Sequence, residues 1–172
     1  METVEHDHIE TNGIKLHVVR QGPKDGEVIM LLHGFPEFWY GWHKQIPYLA
    51  EKGYRVWAPD QRGYNLSDKP SRVDDYAIDE LVEDIAGLIN VSNNEKVNLV
   101  GHDWGGIVAW HVARKHPELI RKLVVINAPH DRAMIDHVRG HPAQLFRVLT
   151  CSSFSLEDCW KRDLNPPAGA LS

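Results

Sequence analysis

The 172-residue chain has only two cysteines, Cys151 and Cys159, too few and too close together for a disulfide framework. It also lacks any apolar run near the roughly twenty residues that cross a bilayer. Its first residues, METVEHDHIE, are acidic where a signal peptide would be basic and then apolar. No membrane partner and a cytoplasmic location are therefore expected. Positive charge is in deficit: 19 Lys and Arg stand against 24 Asp and Glu, a formal net charge of -5. Without a basic stripe for phosphate backbones, nucleic acid is not an expected partner. Internal repeats and low-complexity tracts are absent as well, which excludes a solenoid or a collagen-like array.

What is present suits one globular domain. Hydrophobic residues make up 42% and charged residues 25%, and a chain of this length buries roughly 70% of its unfolded surface. Asn12-Gly13 sits between two alternating stretches, HIET and IKLHVV, and predicts a hairpin closed by a two-residue turn at positive φ. An unbroken apolar run, Val28 to Leu32, predicts a buried strand. Trp39, Trp42, Ile46 and Leu49 follow at helical spacing up to Gly53. The pattern repeats as strand 54–58, a Pro-, Gly- and Asp-rich loop to Asp75, and a helix with Ile78, Leu81, Val82, Ile85 and Ile89 on one face. A third pass gives strand 97–101, a helix from Trp104 to about His116 stopped by Pro117, and strand 123–127. Strand and helix in alternation predict an α/β fold with a mostly parallel sheet and an antiparallel entering hairpin. A sheet that stops at Asn127 leaves a strand edge open to association.

The chemistry concentrates where the strand 97–101 meets its helix, at Gly101-His102-Asp103-Trp104-Gly105. Gly-x-nucleophile-x-Gly is the pattern of a sharp turn that lifts one side chain above a sheet, with glycines relieving the crowding. Asp103 is the lifted residue and the candidate nucleophile. A carboxylate with an ordinary pKa near 3.9 is about a thousandfold ionised at pH 7, so its attack needs no base. The free N–H groups at the start of the helix favour that charge. Two rival readings are disfavoured by the residues themselves. Asp103 as a plain helix cap is disfavoured once His33-Gly34-Phe35-Pro36 is taken into account. A dinucleotide site fails because, in Gly101-x-Asp103-x-x-Gly106, a carboxylate stands where a pyrophosphate must approach.

His33-Gly34-Phe35-Pro36 directly follows the strand 28–32. Gly34 and Pro36 shape a supporting loop that turns a backbone N–H toward Asp103, so the N–H groups of Phe35 and Trp104 form the expected oxyanion pair. His33 is read as a structural histidine bonded to backbone in preference to a catalytic one.

These residues resemble the α/β-hydrolases with an aspartate nucleophile, and among them the epoxide hydrolases. The resemblance rests on HGFPEFW, DQRG and GHDWGG in this order and spacing, extends through LVVINAPH, and covers most of residues 8 to 148. It implies an α/β-hydrolase fold, a small-molecule epoxide or related electrophile as substrate, no cofactor, and Trp39 on the pocket wall. It also implies two steps: Asp103 opens the epoxide to a covalent ester, which a water activated by a histidine then hydrolyses. Relatives supply that histidine and its acidic partner late in the chain, and the proton-donating tyrosines from a helical cap inserted after Asn127. No tyrosine follows Tyr76 in this sequence, and His130, His137 and His141 fall where the cap begins. The expectation is a partial core at 8–148 with the start of a cap, an atypical and poorly packed tail at 149–172, and impaired turnover. NPPAGALS resembles a stretch found after the cap, which fits an internal deletion; a shifted frame fits equally.

Three alternatives stay open. Haloalkane dehalogenases share the aspartate elbow, with Trp104 as a halide donor, but usually carry Asn where Phe35 stands. A metal site at His137 and His141 lacks the Glu of the zinc helix motif, having Val138 instead, so no metal is expected. A non-catalytic remnant or scaffold is the competing class.

Overall fold

The structure, a computed structural model, describes residues 4–130. The expected cap start up to 148, the tail at 149–172 and the His137/His141 pair lie outside the described residues. A compact unit closes at Pro129.

Strands β1 (Glu5–Thr11) and β2 (Ile14–Gln21) pair antiparallel. Their connection places Asn12 at φ 45° and Gly13 at φ 73°, the left-handed pair that a right-twisted hairpin requires. Next come β3 (Val28–Leu32), α1 (Gln45–Glu51), β4 (Arg55–Pro59), α2 (Ile78–Val91), β5 (Val97–His102), α3 (Trp104–Lys115) and β6 (Ile120–Ile126). The six strands form one sheet in the order β1-β2-β4-β3-β5-β6. β2 meets β4 antiparallel, whereas β4, β3, β5 and β6 run parallel. The expected mixed α/β sheet is thus observed. Because β3, β4 and β5 run parallel side by side, the loops after them open along one edge, where ligands of such sheets bind.

Alternate residues of each strand serve opposite faces. Leu16, Met30, Leu32 and Leu99 pack under α2 and α3, into which α2 sends Leu81, Val82, Ile85, Leu88 and Ile89. Ile29, Leu31, Val56 and Ala58 face the other way, against Trp42 and Ile46. Helices thus cover both faces of the central strands, which is why β3 and β4 are buried at every position. Among the described residues no strand pairs with the outer edge of β6, where Val124 and Ile126 are exposed.

Two boundaries differ from the sequence expectation. The helical spacing from Trp39 to Leu49 is realised as a 3-10 turn, Trp39–Trp42, followed by the short helix α1. Pro47 explains the break: proline lacks an N–H and crowds the carbonyl four residues back, so it is tolerated only in a first turn, and α1 begins just ahead of it. β6 starts at Ile120 rather than residue 123, because the 3-10 turn Pro117–Leu119 returns the chain directly to the sheet beside Val97.

The hairpin and the loop after β4 are anchored on α2 by one buried ion pair. Arg62 donates through Nε and Nη2 to the two oxygens of Asp84, at 2.8 and 2.7 Å, and Asn12 Nδ2 donates to Asp84 Oδ1 at 3.0 Å. Burial pushes the Asp84 carboxyl up, and the Arg62 guanidinium and Asn12 amide oppose it. The same contact holds Arg62 above the usual arginine value. Truncating one partner strands the other charge in a dry setting. Arg62→Ala is expected to lower unfolding free energy by about 3 kcal/mol, read from urea denaturation; a loss below about 1 kcal/mol, the size of an exposed pair, would show that the bridge is not buried in solution.

Candidate active site

Asp103 stands between β5 and α3 with φ 51° and ψ −119°, a conformation that L-residues avoid. Close backbone packing holds it there. A Cβ on Gly101 would lie 2.3 Å from the Gly105 carbonyl oxygen, and one on Gly105 would lie 2.5 Å from the carbonyl oxygens of both Leu32 and His33. The start of α3 is therefore pressed onto the ends of β5 and β3, and the chain must turn within one residue. Asp103 does not cap α3 with its side chain. The N–H groups of Gly106 and Ile107 bond its main-chain carbonyl at 2.9 and 3.2 Å, leaving the carboxylate available to other groups.

The carboxylate is met by the loop after β3. Phe35 N–H donates to Asp103 Oδ1 at 3.0 Å. Gly34 makes this possible, since a Cβ there would sit 2.7 Å from Asp103 Cβ and 2.8 Å from its Oδ1. The Phe35–Pro36 peptide is cis, and Pro36 is exposed. Oδ2 accepts no hydrogen bond among the described residues, and the Trp104 N–H at the first position of α3 is likewise unengaged among them. One carboxylate oxygen is thus fixed by a backbone donor, the other is free, and a second backbone donor opens beside the turn.

His33 is fully buried and spans two loops. Its Nδ1–H donates to the Gly34 carbonyl at 2.8 Å, and its Nε2 accepts the Gln61 N–H at 3.0 Å. Gln61 Nε2 returns a bond to the His33 carbonyl at 2.6 Å. This pattern uses the neutral ring, one nitrogen donating and one accepting. Burial, the largest influence, holds His33 below the usual 6.5, and the bond to Gly34 opposes it. His102, the other histidine beside the turn, faces Glu37 at 3.5 Å and packs edge-on against Trp42.

An open cavity of about 400 Å³ lies beside Phe35 and Trp104, lined also by Gln61, Arg62, Gly63, Tyr64, Tyr76 and Leu81. A larger hollow of about 540 Å³ beside the hairpin turn is lined by Glu10, Asn12, Lys15 and Asp68, and holds none of the groups just described. The structure therefore brings together Asp103, His33, Gly34, Phe35, Pro36 and Trp104. The Trp39 N–H is held by Asp60 Oδ1 at 2.9 Å, and its half-buried ring packs edge-on against His6.

Sequence reasoning assigned no roles to Asp60, Gln61 and Tyr64. Asp60 is buried, accepts from His17 Nδ1 at 2.7 Å and from Asn65 Nδ2 at 2.7 Å, and so ties the loop after β4 to β2 and to Trp39. The Tyr64 ring stands edge-on to His33 with centroids 4.8 Å apart. Burial first, and the Asp103 charge second, push its hydroxyl above the usual 10.0. The available signal was position: DQRGYN follows β4 as HGFP follows β3, and adjacent parallel strands end side by side.

His33 sets a pH dependence. Its folded pKa lies below 6.5, so under pH 6.5 the unfolded chain takes up a proton that the folded site refuses. The stability conferred by neutral His33 is complete above pH 6.5 and is lost as pH falls below it. The urea midpoint of the wild-type chain is expected to fall more between pH 7.5 and 5.5 than that of His33→Gln; equal falls would show that His33 is not held neutral.

Comparison with known proteins bears on the family and the fold. Residues 27–147 match the family model described as alpha/beta hydrolase fold. The chain is 52% identical over 158 residues to the AB hydrolase superfamily protein YfhM of Bacillus subtilis, a match covering 92% of this chain and 55% of that protein. It is 44% identical to epoxide hydrolase 4 of Mus musculus over 81% of this chain and 38% of that protein. The crystal structure of the epoxide hydrolase VrEH1 from Vigna radiata superposes with a TM-score of 0.73 at 45% identity, covering 76% of this chain and 40% of that one. The chain thus spans about half or less of the length of these relatives. Among the described residues no helix is long and apolar enough to cross a membrane. On its sequence and its fold, the chain belongs to the alpha/beta hydrolase family.

Proposed function

We propose that this chain performs the first chemical step of an epoxide hydrolase, in which Asp103 opens a small-molecule epoxide and becomes covalently esterified. The observation that carries the reading is the state of the Asp103 carboxylate at the bend: Oδ1 is held at 3.0 Å by the Phe35 N–H while Oδ2 accepts no hydrogen bond among the described residues. Oδ2 attacks an epoxide carbon from the side opposite the breaking C–O bond, and Oδ1 becomes the carbonyl oxygen of the ester. The donor already bound to Oδ1 then faces the atom that gathers negative charge when water attacks that ester, the placement an oxyanion donor needs. The Trp104 N–H adds a second donor on the same side. Names of similar proteins support the choice of electrophile, since mouse and Vigna radiata relatives are epoxide hydrolases.

In this reading the second step is impaired. Hydrolysis of the ester needs a base that activates water. Of the two histidines beside the turn among the described residues, His33 has both ring nitrogens in backbone bonds, and His102 is turned to Glu37 and Trp42. Neither of these two imidazoles is placed to activate water, so in this reading the ester outlasts its formation.

The test is intact-mass measurement of the purified chain after incubation with styrene oxide. One equivalent of epoxide is expected on the wild type, mapped to Asp103 by peptide mass analysis, and background labelling on Asp103→Ala. Equal labelling of both chains removes Asp103 as nucleophile. Continuous release of diol by the wild type would show that hydrolysis is intact and overturn the impaired second step.

A further inference from the structure

We propose that His33 is a positioning residue for the oxyanion donor: its Nδ1–H, by bonding the Gly34 carbonyl, aims and polarises the peptide group whose N–H faces Asp103. The proposal rests on the reading of Asp103 as the carboxylate that becomes an ester.

The Gly34 carbonyl and the Phe35 N–H belong to one peptide group. That group is planar, with its C=O and N–H on opposite sides, so whatever fixes the carbonyl also aims the N–H. On one side the Phe35 N–H donates to Asp103 Oδ1 at 3.0 Å. On the other the Gly34 carbonyl accepts from His33 Nδ1–H at 2.8 Å and from the Glu37 N–H at 3.1 Å. The loop after β4 decides which ring nitrogen carries the proton. A backbone N–H can only donate, so the Gln61 N–H, 3.0 Å from His33 Nε2, requires a lone pair there and leaves the proton on Nδ1. Gln61 Nε2 also holds the His33 carbonyl at 2.6 Å, which fixes the main chain entering the peptide.

Three bonds thus run head to tail: Gln61 N–H to His33 Nε2, His33 Nδ1–H to the Gly34 carbonyl, and Phe35 N–H to Asp103 Oδ1. Bonds in such a chain polarise one another, each gaining roughly 10–30% in strength. His33 is fully buried, so water does not compete for its two bonds. The Glu37 N–H also reaches the carbonyl, but it comes from an exposed residue and has no donor behind it in this chain. The benefit grows when a nucleophile adds to an ester on Asp103, because negative charge then gathers on Oδ1. His33 touches no reacting atom and acts only through the Gly34–Phe35 peptide.

The test separates the two ring nitrogens. His33→Asn keeps an N–H where Nδ1 stands and loses the contact with the Gln61 N–H; His33→Gln reaches that N–H and has no donor beside the Gly34 carbonyl. The full chain is methylated on Asp103 with methyl toluenesulfonate, which makes the ester without an epoxide, and the ester is cleaved with hydroxylamine and followed by peptide mass analysis. The amine nitrogen bonds to the ester carbon, charge gathers on Oδ1, and methanol departs with a proton from nitrogen, leaving a hydroxamate. His33→Gln is expected to slow cleavage about tenfold, less than the roughly 100-fold cost of a whole oxyanion donor, and His33→Asn to recover most of the wild-type rate. Equal slowing in both variants would make His33 merely structural and overturn the proposal. Should either variant lack a cooperative urea transition, the wild-type ester decides: it is expected to be cleaved faster in the folded chain than in the urea-unfolded one, and cleavage no faster when folded overturns the proposal. Methylation of Asp103 without labelling by styrene oxide removes the epoxide and leaves the role of His33 standing. No ester on Asp103 with either reagent removes both.

Discussion

The top of the sheet is governed by how closely three stretches of backbone approach one another. The first turn of α3 lies against the carbonyls that end β3, and the loop leaving β3 folds back until Gly34 touches the Asp103 side chain. Neither approach leaves room for a methyl group. A helix that must begin this close to the strands forces its first residue to φ 51°, and that residue can do little except project away from the sheet. The Phe35 N–H then meets Oδ1 because the glycine beside it lets the main chain reach the carboxylate. Position, conformation and hydrogen bonding of Asp103 therefore share one steric cause.

Such packing brings polar backbone groups into a dry region, where each requires a partner. The loops after β3 and β4 supply partners to each other. His33 and Gln61 exchange bonds through main chain and side chain, Asp60 gathers His17, Asn65 and the Trp39 N–H, and Arg62 grips Asp84 on α2. Three consecutive residues, Asp60, Gln61 and Arg62, thus point to three parts of the fold: the entering hairpin, the loop that faces Asp103, and α2. Such a network stiffens its region, although the buried Gln61 Oε1 itself has no partner among the described residues. The loop carrying the Phe35 N–H owes its rigidity to this arrangement more than to apolar burial, for Phe35 and Pro36 are themselves exposed.

The proposed chemistry draws on the same economy of position. A carboxylate nucleophile needs no partner to remove a proton, so the bond-forming group and its backbone donor are both held by the loops after β3 and β5. Ester hydrolysis asks for a further base. The His33 imidazole does not provide one, since both its ring nitrogens are spent on holding the loops together.

The sequence alone determined the elements and the site whose causes are local. Period-two and period-3.6 patterns of apolar residues, the Asn12-Gly13 turn, and glycines flanking Asp103 are legible because each reflects a constraint within a few residues. HGFP and GHDWGG were readable as a pair for the same reason, each directly following a buried strand. What only the tertiary structure decided depends on residues far apart in the chain. The pairing of Gln61 with His33, of Arg62 with Asp84 and of the Tyr64 ring with His33 depends on the β4-β3-β5 order, which sets three loops side by side. The bond from the Trp39 N–H to Asp60 and the edge-on packing of its ring on His6 are likewise set by strands distant in the sequence. Periodicity records which face of an element is buried; the partner across a sheet edge is chosen by strand order and close approach, and neither leaves a trace in the spacing of residues along the chain.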